Sequence, residues 1–158
     1  MSTFQRVSLF LLRVSVGWLM FYSGITKVLD PAWSAAGYLQ GAKTFAGLYR
    51  WFLTPSVLPI INFINEWGLT LIGASLILGV MVRLSSVFGA LLMLFYYFPV
   101  LTFPTIAPHS FIVDEHIIYL FVFFVLAAFR AGRVVGLETW CLNLPICSKY
   151  PKLRNLFG

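Results

Sequence analysis

Charged side chains are scarce in this chain. They make up 10% of its 158 residues, where a soluble domain carries roughly 25%, and no hydrophilic stretch is long enough to build a second, soluble domain. Cysteine is scarcer still: Cys141 and Cys147, in "CLNLPIC", are the only two. Their spacing matches neither a Cys-x-x-Cys redox pair nor a four-ligand zinc set. They read as bystander thiols that would pair only if the membrane topology were inverted. Also missing are a Cys-x-x-Cys-His haem site, an iron–sulfur spacing and a Gly-rich dinucleotide loop. The chain therefore brings no recognisable redox centre of its own, and neither metal nor haem is expected.

What is present is apolar. Hydrophobic residues reach 60%, above the roughly 45–50% of a soluble domain, which points to an all-α polytopic membrane protein. Measured against the roughly 20 residues that a helix needs to cross hydrocarbon, the apolar runs give four spans, near residues 8–29, 57–81, 84–104 and 114–131. A four-transmembrane-helix bundle is the expectation. The first run contains Arg13 and no small-x-small cleavage site, so it reads as a retained span and not a signal peptide. Between the first two spans lies "DPAWSAAGYLQGAKTFAGLYRWFLTPS", bounded by Pro31 and Pro55. Its many aromatic rings suit an interfacial helix at headgroup depth. The second and third spans form a hairpin that turns at Gly79 to Arg83, and Pro99, Pro104 and Pro108 end the third.

With four spans both termini share one side. That side collects Arg6, Arg83, Arg130, Arg133, Lys149, Lys152 and Arg154, against Lys27, Lys43 and Arg50 opposite. The excess predicts cytoplasmic termini in a plasma membrane, prokaryotic in type. A net charge of +6 then reflects a tail facing anionic lipid and calls for no nucleic-acid partner.

At 100° per residue Arg13, Gly17, Gly24 and Lys27 lie on one stripe of the first span. Small and cationic, that stripe predicts the inward face of the bundle. Arg13 either snorkels to the headgroups or binds an anionic or carbonyl group inside. On the second span Asn62, Glu66, Thr70 and Gly73 share a helical face. A carboxylate at membrane depth needs a cation or a proton. By rise along the helices, Lys27 sits about 12 Å and Glu66 about 6 Å to the outer side of their span centres, with Arg13 about 8 Å to the other side. Lys27 is thus the expected partner of Glu66.

The fourth span opens with "VDEHIIYLFVFF". Asp114 is either a helix cap or a site residue, Glu115 and Tyr119 share a face that could look inward, and His116 reads as a boundary residue. With His109 it makes only a weak metal signal. Lys27, Glu66, Glu115 and Tyr119 gather in the outer half of the bundle. They form either a polar knot that fixes helix register or a pocket where acid, amine and phenol groups hydrogen-bond the carbonyls of a lipid-borne quinone and exchange protons with it. The absence of an internal repeat argues against a transporter.

Three segments carry a family resemblance. "LLRVSVGWLMFYSGITKV" resembles the opening motif of the DoxX family, an arginine and a spaced glycine followed by small-Gly-x-x-Lys. "NEWGLTLIGASLILGVMVRLSS" resembles its second motif, a glutamate with spaced glycines and an arginine at the turn. "DEHIIYLFVFFVLAAFRAGRVVGLETW" is similar to its closing span, with an acid near the helix start and a Gly-x-x-x-Gly-Leu-acid run after it. The likeness runs over residues 9 to 140. It implies a four-helix membrane domain at 1–140, with 141–158 as a basic cytoplasmic tail. Some members of the family are subunits of thiosulfate:quinone oxidoreductase, others associate with redox-stress enzymes, and more distant ones act in membrane trafficking or maturation. Arg13, Lys27, Glu66, Arg83 and Glu115 carry over as site or framework residues. The function expected is therefore a membrane subunit of a quinone-linked oxidoreductase working with other membrane or redox subunits. Glu66 and Glu115 would exchange protons, and Arg13, Lys27, Glu66 and Tyr119 would bind quinone. The alternative is a non-catalytic scaffold or accessory subunit of a larger complex.

Overall fold

The computed structural model describes residues 1–107 and 110–138. His109, both cysteines and the basic tail lie outside the described residues. Nearly all of the regular structure is helical. Helix α1 (Thr3–Val28) starts earlier than expected because Ser2 caps it: its hydroxyl accepts from the Gln5 N–H at 3.2 Å and the Gln5 side chain accepts from the Ser2 N–H at 2.7 Å, a reciprocal capping box. Two short helices follow, α2 (Ala36–Gln40) and α3 (Ala46–Phe52), where a single interfacial helix was expected. Helix α4 (Leu58–Leu78) and helix α5 (Val82–Val100) are joined by a tight turn in which Gly79 and Met81 take left-handed φ values of 68° and 54°. After α5 comes a two-stranded antiparallel hairpin, β1 (Thr105–Ala107) and β2 (Ser110–Phe111). Helix α6 (Glu115–Ala128) and a single 3-10 turn (Ala131–Arg133) complete the described chain.

Helices α1, α4 and α5 are long and apolar enough to cross a membrane. Helix α6 has 14 residues, about 21 Å of rise against a hydrocarbon core of about 30 Å. Outward faces carry large apolar side chains, Trp18, Phe63, Leu71, Phe88 and Phe121 among them, which is a surface made for lipid and not for water.

The bundle is built from two tight pairs. Glycine decides both, because without a hydrophobic drive between helices in lipid, close backbone approach is what gains packing. On α1 a Cβ at Gly17 would lie 2.9 Å from that of Leu76, and one at Gly24 2.9 Å from the Leu69 carbonyl carbon; Gly73 of α4 lies against the Phe21 backbone. In the α5–α6 pair, Gly89 receives the Phe123 ring. The small-residue stripe expected on α1 thus faces α4.

The segment carrying α2 and α3 is clamped onto α5. Pro99 has no N–H, so the Phe95 carbonyl loses its helical donor; the Tyr49 hydroxyl supplies the missing bond at 3.0 Å. Tyr38 donates to the Tyr96 carbonyl at 2.5 Å and Thr44 to that of Leu101 at 2.7 Å. Tyr49, Leu39 and Ala35 form a small core of their own beside α4 and α5.

Candidate functional site

The two cations of α1 stand fourteen positions apart, about 21 Å along the axis, and meet opposite surroundings. Arg13 is fully buried. Its guanidinium donates to the carbonyls of Ala131 (2.5 Å), Val134 (3.0 Å) and Val135 (2.9 Å). These carbonyls belong to the chain just after α6, where the α-helical ladder has ended; that of Ala131 also accepts from the Val134 N–H at 3.1 Å. Gly79, Gly132 and Gly136 let this strap lie against the α4–α5 turn: Leu137 N–H bonds Leu78 O at 3.1 Å and Glu138 N–H bonds Gly79 O at 2.9 Å. The Glu138 carboxylate is buried against Gly132, with Arg133 Nε 3.5 Å away. Burial pushes its pKa up, against the opposing pull of Arg133, Arg13 and Arg130. Arg13 therefore does not snorkel; it binds carbonyls, those of the backbone.

At the other end Lys27 borders a cavity of about 530 Å³ between α1, α4 and α5, roofed by α2 and α3. Lys27 Nζ donates to Asn65 Oδ1 at 2.9 Å and to the Tyr96 hydroxyl oxygen at 3.4 Å, and stands 4.8 Å from the centre of the Trp33 ring. An ammonium only donates, so Asn65 must turn Oδ1 to it and Nδ2 to Tyr96, the arrangement found. The Tyr96 oxygen thus accepts twice. Two donors remain without a protein acceptor among the described residues, the Tyr96 O–H and the third N–H of Lys27. His116 also lines the cavity, its ring 5.8 Å from that of Tyr96. Asp114 caps α6 through Ile117 N–H at 3.1 Å and holds His116 Nδ1 at 2.6 Å. A carboxylate accepts only, so Nδ1 carries the proton and Nε2 is left to act. The remaining wall is apolar, including Phe52, Phe95, Ile61 and Leu92. The Tyr38 hydroxyl at its edge is held well above its usual pKa, chiefly by burial, and stays a donor.

Of the residues assigned to the quinone site from the sequence, Arg13, Lys27, Glu66, Glu115 and Tyr119, Lys27 lines this cavity and the other four do not. Arg13 lies at the far end, so the pairing of Arg13 with Lys27 in one quinone site is not formed. Glu66 makes no ion pair within 4 Å; among the described residues only His116–Asp114 and Arg133–Glu138 do. The depth expected for the Lys27 partner holds to within one residue, but the face does not. Burial on α4 runs through Asn65, Leu69, Thr70, Ile72, Gly73 and Leu76, because the helix is packed by α1 on one side and approached by Tyr96 on the other. Asn62 and Glu66 are left half-buried at the edge, although the Glu66 charge still acts on Lys27. Glu115 is exposed, Tyr119 packs against the main core, and Arg83 is exposed in the first turn of α5. Sequence reasoning missed Asn65, Tyr96, Trp33 and the role of His116. Tyr96 carries no period or motif that marks it, whereas Glu138 stood in the Gly-x-x-x-Gly-Leu-acid run.

A family model described as DoxX matches residues 8–102. The chain belongs to the DoxX family. The matched stretch of this DoxX protein contains Arg13 and the Lys27, Asn65 and Tyr96 cluster, and stops before α6 and the Glu138 strap. No curated protein and no solved structure matches the chain.

Proposed function

We propose that this DoxX protein is the membrane subunit of a quinone-linked oxidoreductase, and that the Lys27 cavity takes the quinone ring. The observation that carries the reading is the pair of unused donors, Tyr96 O–H and the third Lys27 N–H, at the polar end of an otherwise apolar cavity. Ligand pockets have this make-up, about 300–1,000 Å³ of apolar wall with a few convergent polar groups, and a ring with an acceptor oxygen satisfies both donors. Reduction to the quinol takes two electrons and two protons. A partner subunit supplies the electrons, from a reduced sulfur compound of the thiosulfate class. Lys27 and Tyr96 polarise the ring oxygen, His116 backed by Asp114 passes a proton through Nε2, and Glu66 and Glu115 relay protons at the margins of the site.

In this reading α6 and the turn that follows make a fourth crossing, the exposed Ile118, Phe121 and Phe124 of α6 facing lipid. Both termini then lie on the cytoplasmic side, where Lys and Arg are in excess, and α2 and α3 rest at the opposite interface.

A second reading, a non-catalytic scaffold, draws on the same bonds, since Lys27, Asn65 and Tyr96 tie α1, α4 and α5 into one register. Quantitative mass spectrometry of the lipid that co-purifies with the wild-type chain and with Lys27→Met separates the two. The quinone reading expects near-stoichiometric quinone, lost in the variant while thermal stability holds. Absence of quinone from both, with Lys27→Met melting well below wild type, would make the cluster a register lock.

A further inference from the structure

The hairpin partners α4 and α5 leave a gap along their length. They are joined by a turn of three residues, 79–81, yet each packs mainly against another helix, α4 on α1 and α5 on α6. Between them runs a groove of about 700 Å³, from the turn at Val80 and Met81 up to Ile64. The stretch of α4 from Ile64 to Leu78 gives it a length of about 21 Å, most of a hydrocarbon leaflet pair of about 30 Å.

Three features define what fits the groove. Its floor has no hydroxyl donor to offer, because the Ser85 hydroxyl donates to the Ser75 hydroxyl at 2.6 Å and Ser75 in turn donates to the Val80 carbonyl. Its width comes from small residues, Ala74 and Gly68, and a Cβ built on Gly68 meets nothing within 4 Å. Its upper end adjoins the Lys27 cavity, since Ile64, Leu92 and Phe95 line both. A tail that leaves a head seated on Lys27 and Tyr96 past these three apolar side chains enters this groove.

We infer that the α4–α5 groove binds the long isoprenoid tail of the quinone whose ring sits at Lys27, so that the site selects a lipid quinone by head and tail together. The inference rests on the quinone reading above. Gly68 keeps the channel open where the ring cavity narrows into the groove, and the serine pair keeps it dry. In lipid the tail gains little from leaving water, because the surrounding acyl chains are equally apolar; the groove acts by shape, holding the tail and thereby orienting the ring.

The test uses the full chain in phosphatidylcholine nanodiscs and two photoreactive probes made from one long-tailed benzoquinone. One carries its reactive group on the ring and the other far along the tail, and labelled residues are mapped by peptide mass spectrometry with unlabelled quinone as competitor. The expected result is ring label near Trp33, Tyr38 and Tyr96 and tail label on Leu71, Ser75, Leu84 and Phe88. Gly68→Leu, which its open surroundings accommodate, should give a severalfold loss of tail label at those positions with ring label retained. Competable ring label in the cavity, with tail label spread evenly over the lipid faces of α1 and α6, would overturn the groove and leave the quinone reading standing. Covalent dimers joined through groove residues would overturn it in favour of a second copy of the chain. Absence of competable ring label would sink the quinone reading, and the groove assignment with it.

Discussion

Arg13 and Lys27 occupy the same small-residue stripe of one helix, yet one end of the bundle is shut and the other open. At the Arg13 end, three glycines bring a strap of backbone against the α4–α5 turn, and the guanidinium is buried on three of its carbonyls, with Nε left without an acceptor among the described residues. At the Lys27 end, aromatic side chains roof a cavity in place of backbone, and two donors are left over. A cation at membrane depth is thus no sign of function by itself. Its meaning depends on whether its partners are backbone, which closes over it, or side chains arranged around a space.

The contrast can be broken most severely from the closed end. Arg13→Met should cost on the order of 3–5 kcal/mol, because it takes the charged donor from three carbonyls and one of the neighbouring cations from the buried Glu138. Lys27→Met should cost under about 1.5 kcal/mol, since Asn65 and Tyr96 remain bonded to each other. Thermal unfolding of the two variants in one detergent compares them directly, and equal losses would erase the distinction between the ends. Next in size, Gly136→Val should cost roughly 1–3 kcal/mol by overpacking, as its Cβ would meet Arg13 Nη1 and the Gly79 carbonyl oxygen at 2.9 Å. Trypsin cleavage after Arg133 is the readout, faster if the strap lifts.

Tyr49→Phe should destabilise by roughly 1–3 kcal/mol, as the Phe95 carbonyl freed by Pro99 loses its donor. The roof should loosen with it, visible as faster hydrogen exchange at α2 and α3 while the Arg13 end is unchanged. The smallest effect is on pH dependence. Glu138 has a raised pKa in the fold, so between its unfolded and folded values the folded state holds more protons. Stability from this group is full below the ordinary carboxylate range and falls as pH rises through the raised value. Glu138→Gln should flatten that decline in melting temperature, and a slope identical to wild type would mean the strap is not where the proton is held.

Much of the helical frame was legible in the sequence. Apolar runs placed the three long helices within a few residues at most ends, and the stripe of Gly17 and Gly24 pointed correctly at a helix partner. Reading the cavity was harder. The face of α4 was taken from Asn62 and Glu66, yet Asn65 points inward, because a helix packed on two sides buries an arc set by both neighbours and not by its own polar spacing. Tyr38 and Tyr49 read as interface aromatics, and only the bonds of their segment to α5 make them a roof.

The sequence by itself determined a helical membrane protein with buried cations on one face of its first helix, because composition and the 3.6-residue period act locally and every span must satisfy its own backbone. Only the tertiary structure decided which cation is closed in by backbone and which borders a cavity. That outcome depends on Tyr96, Ala131, Val134 and Val135, which lie far along the chain from α1 and reach it only once the two helix pairs have packed.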